Sequence, residues 1–203
     1  FKIIIKGKAG HAARPELTID PIIASANLIM QIQTIISRNV SALKPAVITI
    51  GMIQGGTKCN IIPDSVELQG TIRSHDEPGR LHIIKRIKDL AKGLDKTFGT
   101  TTVFRMYDSY PMCYNNEELT EFIYEKAVKI LGKKYVHWWN PSMGGEDFAF
   151  YTTHLPCSML RIGTRNEKKG ITHPAHCPRF DIDEKALYSA VHLFSELAVE
   201  YCR

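Results

Sequence analysis

No apolar run in this chain approaches the ~20 residues that a membrane-spanning helix requires. The longest candidate, "PIIASANLIMQIQTII", is broken by polar residues at helical intervals. No CxxC pair occurs among the five cysteines, Cys59, Cys113, Cys157, Cys177 and Cys202. An odd, widely spaced set argues against a disulfide framework and points to a reduced, cytoplasmic protein. The first residues, "FKIIIKGKAG", lack the charged segment and cleavage site of a signal peptide. They also lack an initiator Met and open directly in a strand pattern, so the chain reads as cut from something longer. Charge of one sign is missing too: 26 basic and 21 acidic residues leave a net +5. The densest basic stretch, "KRIKDLAK", has its apolar residues at helical spacing. It reads as the wet face of a helix rather than a nucleic-acid footprint.

What is present is an ordinary globular composition, 44% hydrophobic and 23% charged, in a length suited to one large domain or two small ones. "KIIIK" reads as a strand. Asp20 is placed to cap a helix with Pro21 at its first position, its apolar residues recurring to about Arg38. "AVITIGMIQ" and "SVELQGTIRS" read as strands. Pro78 opens a second helix through Leu94, and "TTVFRMYDSY" closes the unit with a strand. That order predicts a ferredoxin-like, four-stranded antiparallel sheet with two helices on one face, over residues 1–112. Residues 113–203 predict helices from Glu117 to Leu131, at "GGEDFAFY", and from Asp183 to Tyr201, with one strand at "CSMLRIG". A lone strand with three helices is not a self-sufficient layer, so this portion reads as part of an α/β domain.

Five segments carry residues suited to chemistry. "HPAHCPRFDIDE" sets His173 and His176 three apart in a polar loop. It can be one corner of a metal site or a surface loop whose Asp183 caps the last helix. "GHAARP" offers His11 beside Gly10, either an ordinary loop imidazole or one that a partner molecule approaches closely. "GGTKCNIIPD" and "GTIRS" supply Asn60 and Arg73, an amide and a forked cation able to cradle a carboxylate; both also suit a plain turn and surface. "MGGEDFAF" joins Glu146 to Asp147, an acid/base pair or dipole-complementing residues of a first helical turn.

Taken in order, "GKAGHAARP" with "DPI", "GGTKCNIIPD", "GTIRS", "GGEDFAFY" and "HCPRFDIDE" resemble one branch of the zinc metallopeptidases: aminoacylases, hippurate hydrolases and auxin-conjugate (IAA-amino acid) amidohydrolases. In that family a ferredoxin-like lid, which also makes the dimer, interrupts an α/β catalytic domain. The resemblance therefore implies that residues 1–112 are the lid and 113–203 the C-terminal portion of the catalytic domain. It implies hydrolysis of N-acyl amino acids with two divalent ions, zinc or else manganese, cobalt or nickel. His176 would be a ligand to one of them. His11 would reach across a homodimer to stabilise the oxyanion in the partner's site. Asn60 and Arg73 would hold the substrate's carboxylate, and Glu146 and Asp147 would stand in the pocket wall. Neither nucleic acid nor membrane enters as a partner.

There are departures. Glu16 stands where members commonly carry a second His, Cys59 replaces a small apolar residue, and Cys177 replaces Ser or Asn. The family's H-D-x-H-like motif, its E-E pair with the general base, and a further His all precede the lid and lie outside these 203 residues. The chain alone is thus expected to bind no metal stably and to hydrolyse nothing. The competing expectations are a non-enzymatic dimerisation or binding module, and a related dipeptidase or deacylase of diaminopimelate derivatives.

Overall fold

Alternation of buried and exposed residues shapes the first half of the chain. A computed structural model describes residues 1–107 and 110–202. They divide into two compact units, one of residues 1–112 with 142–145, the other of residues 113–141 and 146 onward.

In the first unit the strands are β1 (Lys2–Lys6), β2 (Gly10–His11), β3 (Ala46–Gly55), β4 (Ile61–Ile62), β5 (Ser65–Ser74) and β6 (Thr101–Arg105). The helices are α1 (Pro21–Thr34) and α2 (Glu77–Phe98). β3, β5, β1 and β6 lie side by side in that order, each neighbour antiparallel, which is the ferredoxin-like arrangement. β2 and β4 form a separate two-stranded ribbon. Ile3, Ile5, Val66, Leu68 and Ile72 are buried on one face of the sheet. Against them pack Ala24, Leu28 and Ile32 of α1 and Ile83, Ile87 and Leu94 of α2. The alternate residues, Lys2, Glu67 and Arg73 among them, are left on the uncovered face. Gly70 is required: a Cβ there would lie 2.2 Å from the Thr49 carbonyl oxygen and 2.6 Å from the Phe1 ring.

Local signals place the helix ends. The Asp20 carboxylate accepts from the amides of Ile22 and Ile23, with Pro21 in the first turn, as expected from sequence. α1 then loosens into one π-turn, Ile35–Asn39. α2 begins at Glu77, one residue before Pro78, with Asp76 as its cap, and ends at Gly99 in the left-handed conformation. Lys85, Lys88 and Lys92 are exposed on α2, the wet face that the sequence implied. β6 stops at Arg105 rather than Tyr110, and Asp108 and Ser109 fall outside the described residues.

The second unit contains α3 (Glu117–Leu131), the single-turn α4 (Ala149–Thr152) and α5 (Lys185–Tyr201). Ala127 of α3 packs with Leu193 and Leu197 of α5 as a small core. The expected strand at Cys157–Gly163 does not form. A strand needs a ladder partner, and here the backbone bonds go elsewhere. The Cys157 carbonyl accepts from Asn116 N–H at 2.8 Å, and Met159 bonds at both its N–H and its C=O to the Asn115 side chain. α5 starts two residues later than expected.

Leu68 is fully buried at the centre of the sheet, where truncating it would leave a cavity. Leu68→Ala is expected to lower the stability of the first unit by about 3 kcal/mol, read from urea unfolding followed by amide NMR. α3 and α5 should unfold at an unchanged midpoint.

Candidate functional site

His11 is positioned by the ribbon. Gly10 pairs with Ile62 and His11 with Ile61, and Ala12 N–H donates to the Asn60 carbonyl at 3.1 Å. One short ladder therefore brings the exposed His11 and Asn60 together. The Ala13 amide donates to His11 Nδ1 at 3.0 Å. A ring nitrogen that accepts a hydrogen bond carries no proton, so the neutral imidazole holds its proton on Nε2. Nε2–H is then the donor presented outward. Beside the ribbon, Ile4, Ala9, Gln54, Ile61 and Glu67 line a shallow cleft of about 610 Å³.

Arg73 is placed differently. It follows buried Ile72, so its side chain leaves on the uncovered face, half-buried, with Nη1 donating to the Ile72 carbonyl at 3.1 Å. Arg73 pairs with Val47 at one end of β5, whereas the ribbon adjoins the other end, where Gly7 N–H meets the Asp64 carbonyl. The strand from Glu67 to Arg73 alone spans roughly 20 Å. Within one chain, the Arg73 side chain does not meet Asn60.

The remaining sequence-derived residues belong to the second unit. Glu146 and Asp147 form the turn ahead of α4, accepting at their carbonyls from Ala149 and Phe150. The Glu146 carboxylate lies 4.0 Å from Arg161, whose guanidinium sits 5.7 Å from the Trp139 ring centroid. Nearby, burial pushes the Cys113 thiol up, with Glu146 and Cys157 adding to the effect. That disfavours the thiolate and any nucleophilic role. His173 lines an open cleft of about 700 Å³ with Arg161, Arg165, Thr172, Pro174 and Phe180. His176 is exposed at φ 65°, the one described non-glycine residue with positive φ.

Asp183 does more than its place ahead of α5 suggests: as a helix cap it has only one long bond, 3.4 Å from Lys185 N–H. Its main partners are Lys169 Nζ at 2.6 Å and the Asn166 amide at 2.5 Å. Those two hold its carboxyl well below the usual range, at about 2. The turn signal "NEKKG" before the loop was the available clue.

An exposed imidazole such as His176 suits one ligand position of a divalent ion. No cluster of three or more His, Cys, Asp or Glu able to hold a metal gathers among the described residues. Among them, too, no helix is long and apolar enough to cross a membrane.

Comparison with known proteins bears on both units. The peptidase dimerisation domain of M20 peptidases matches residues 1–98. An N-acetylcysteine deacetylase of Bacillus subtilis is 37% identical over 98% of this chain and 50% of its own length. Thermostable carboxypeptidase 1 of Saccharolobus solfataricus is 38% identical over 99% of this chain and 51% of its own. A Bacillus subtilis protein described as a dinuclear metal binding peptidase of the M20 family superposes with TM-score 0.77 at 32% identity, over 98% of this chain and 48% of that one. The relatives are hydrolases of amide bonds, and the chain spans about half the length of the curated relatives it matches.

Two measurements test this geometry. In long-range ¹H–¹⁵N spectra at neutral pH the His11 ring should show the Nε2–H tautomer, and Nδ1–H would remove the Ala13 bond. For Asp183, a carboxyl depressed below its ordinary 3.8 contributes stability above about pH 4 that is lost as pH falls through about 2. Its ¹³C carboxyl resonance should titrate near pH 2, while a midpoint near 4 would contradict the paired arrangement.

Proposed function

Because residues 1–98 are an M20 peptidase dimerisation domain, we propose that the chain is the lid and C-terminal portion of a metal-dependent amidohydrolase acting on N-acyl amino acids. Residues 113–203 are the closing part of its catalytic domain. The exposed stripe Leu187, Val191, Phe194 and Tyr201 on α5 supports this. Such a face is too apolar for a finished surface, and relatives carry as much chain again that could cover it. The five free thiols agree with a cytoplasmic setting.

The observation that carries the reading is the separation of Arg73 from the His11–Asn60 pair. A small amino-acid conjugate cannot span one sheet from end to end. It can touch all three residues where two copies of the lid contribute, Arg73 from one and His11 with Asn60 from the other. A two-fold homodimer supplies that arrangement twice.

In this mechanism Arg73 forks onto the substrate's carboxylate and Asn60 completes the cradle, fixing the scissile amide in place. His11, with its proton held on Nε2 by the Ala13 amide, donates to the oxygen on which negative charge develops. Two divalent ions, zinc foremost, when bound supply Lewis acidity and an activated water. His176 is the ligand that this portion contributes. Glu146, steadied by Arg161, stands with Asp147 in the pocket wall.

Alone, the 203-residue chain should release no amino acid from N-acetyl or N-benzoyl substrates with added zinc; measurable turnover would overturn the assignment. In the complete enzyme, His11→Ala and Arg73→Met should each lower kcat/KM ~10²–10³-fold. Mixing the two inactive variants under subunit exchange should restore activity, since one site of each mixed dimer then has both residues intact. Failure of the mixture to recover would mean that each site is built from one chain.

A further inference from the structure

The second unit sends out a loop, residues 172–182, whose two ends are gathered at one point. Asn166 exchanges two backbone hydrogen bonds with Ile171, both 2.9 Å. Its side-chain amide donates to Asp183 Oδ2, and Lys169, from the short turn between those residues, donates to Oδ1. The Asp183 N–H closes the neck by donating to the Thr164 carbonyl at 2.9 Å. Asp183 is 9% exposed, so this is a buried carboxylate with both oxygens engaged. The mechanism above gives it no part.

The loop holds itself weakly. Its internal bonds are Cys177 N–H to the Pro174 carbonyl at 3.3 Å, Phe180 N–H to the Cys177 carbonyl at 2.9 Å, and Ile182 N–H to Asp181 Oδ1 at 2.8 Å. Yet in its middle His176 sits at φ 65°. For a residue with a Cβ that region carries a steric cost, which its surroundings must offset. The bonded neck adds to those three turn-like bonds by limiting the conformations open to the residues between its ends.

We infer that Asp183, with Asn166 and Lys169, is a positioning group that sets the conformation of the loop presenting His176. The ordering itself is independent of any ligand; its meaning for catalysis rests on the proposed role of His176 in metal binding. A different role, simple initiation of α5, would make Asp183 matter to the helix and not to the loop.

Backbone ¹⁵N relaxation on the full 203-residue chain separates the two. In Asp183→Ala, order parameters of residues 173–181 should fall from the rigid range near 0.85 to below about 0.6, with α3 and α5 unchanged. Lys169→Met, at a half-exposed position that does not threaten folding, should produce the same loosening in smaller degree. Asp183→Asn, which keeps an acceptor for Lys169, should restore part of the order. A loop unchanged in Asp183→Ala, or loosened no more than α3 and α5, overturns the inference. In the complete enzyme the same variants should weaken metal affinity about 10–100-fold. If the loop loosens and metal affinity holds, the positioning stands and the ligand assignment of His176 fails.

Discussion

Burial of isoleucine and leucine on one side of a single sheet is the constraint from which the placement of the first unit's polar side chains follows. α1 and α2 cover Ile3, Ile5, Leu68 and Ile72, and among the described residues of the first unit no helix packs on the opposite face. Successive residues of a strand point to opposite faces. Burying Ile72 therefore delivers Arg73 to the open side without any further device. The same alternation leaves Lys2 and Glu67 there as a neighbouring pair at 2.6 Å. A one-residue slip of β5 would bury the guanidinium and expose the core, so packing energy enforces the orientation of Arg73.

The second unit has no comparable frame. Its core is small, α5 presents apolar residues on two sides, and the segment after α4 finds no strand to pair with. Order there comes instead from side-chain bonds to backbone, from Asn115, Asn116 and Asn166, and from one buried carboxylate. Polar ties of this kind fix local shape while contributing little net stability each.

This contrast explains what could be read directly from the amino acids. The first unit was legible nearly throughout, since period-2 and period-3.6 patterns report burial on a sheet face or helix stripe, and Asp20, Pro21 and Gly99 mark boundaries by local geometry. The strand at "CSMLRIG" was misread because its β-branched and apolar content describes a strand that has neighbours, and pairing is not a property of one segment. His11, Asn60 and Arg73 could be named from their motifs. Their arrangement could not: the distance from Arg73 to the ribbon depends on the length and direction of β5 relative to β4. Asp183 was visible only as a cap candidate, because its partners Asn166 and Lys169 become neighbours through the hairpin and not through sequence spacing.

The ribbon that aims His11 contains two residue pairs and no more. So short a ladder is a lever with a fixed fulcrum. A slip of β2 by one residue would turn the imidazole to the other side. What opposes it is the pair of bonds flanking the ladder, Ala12 N–H to the Asn60 carbonyl and Gly7 N–H to the Asp64 carbonyl.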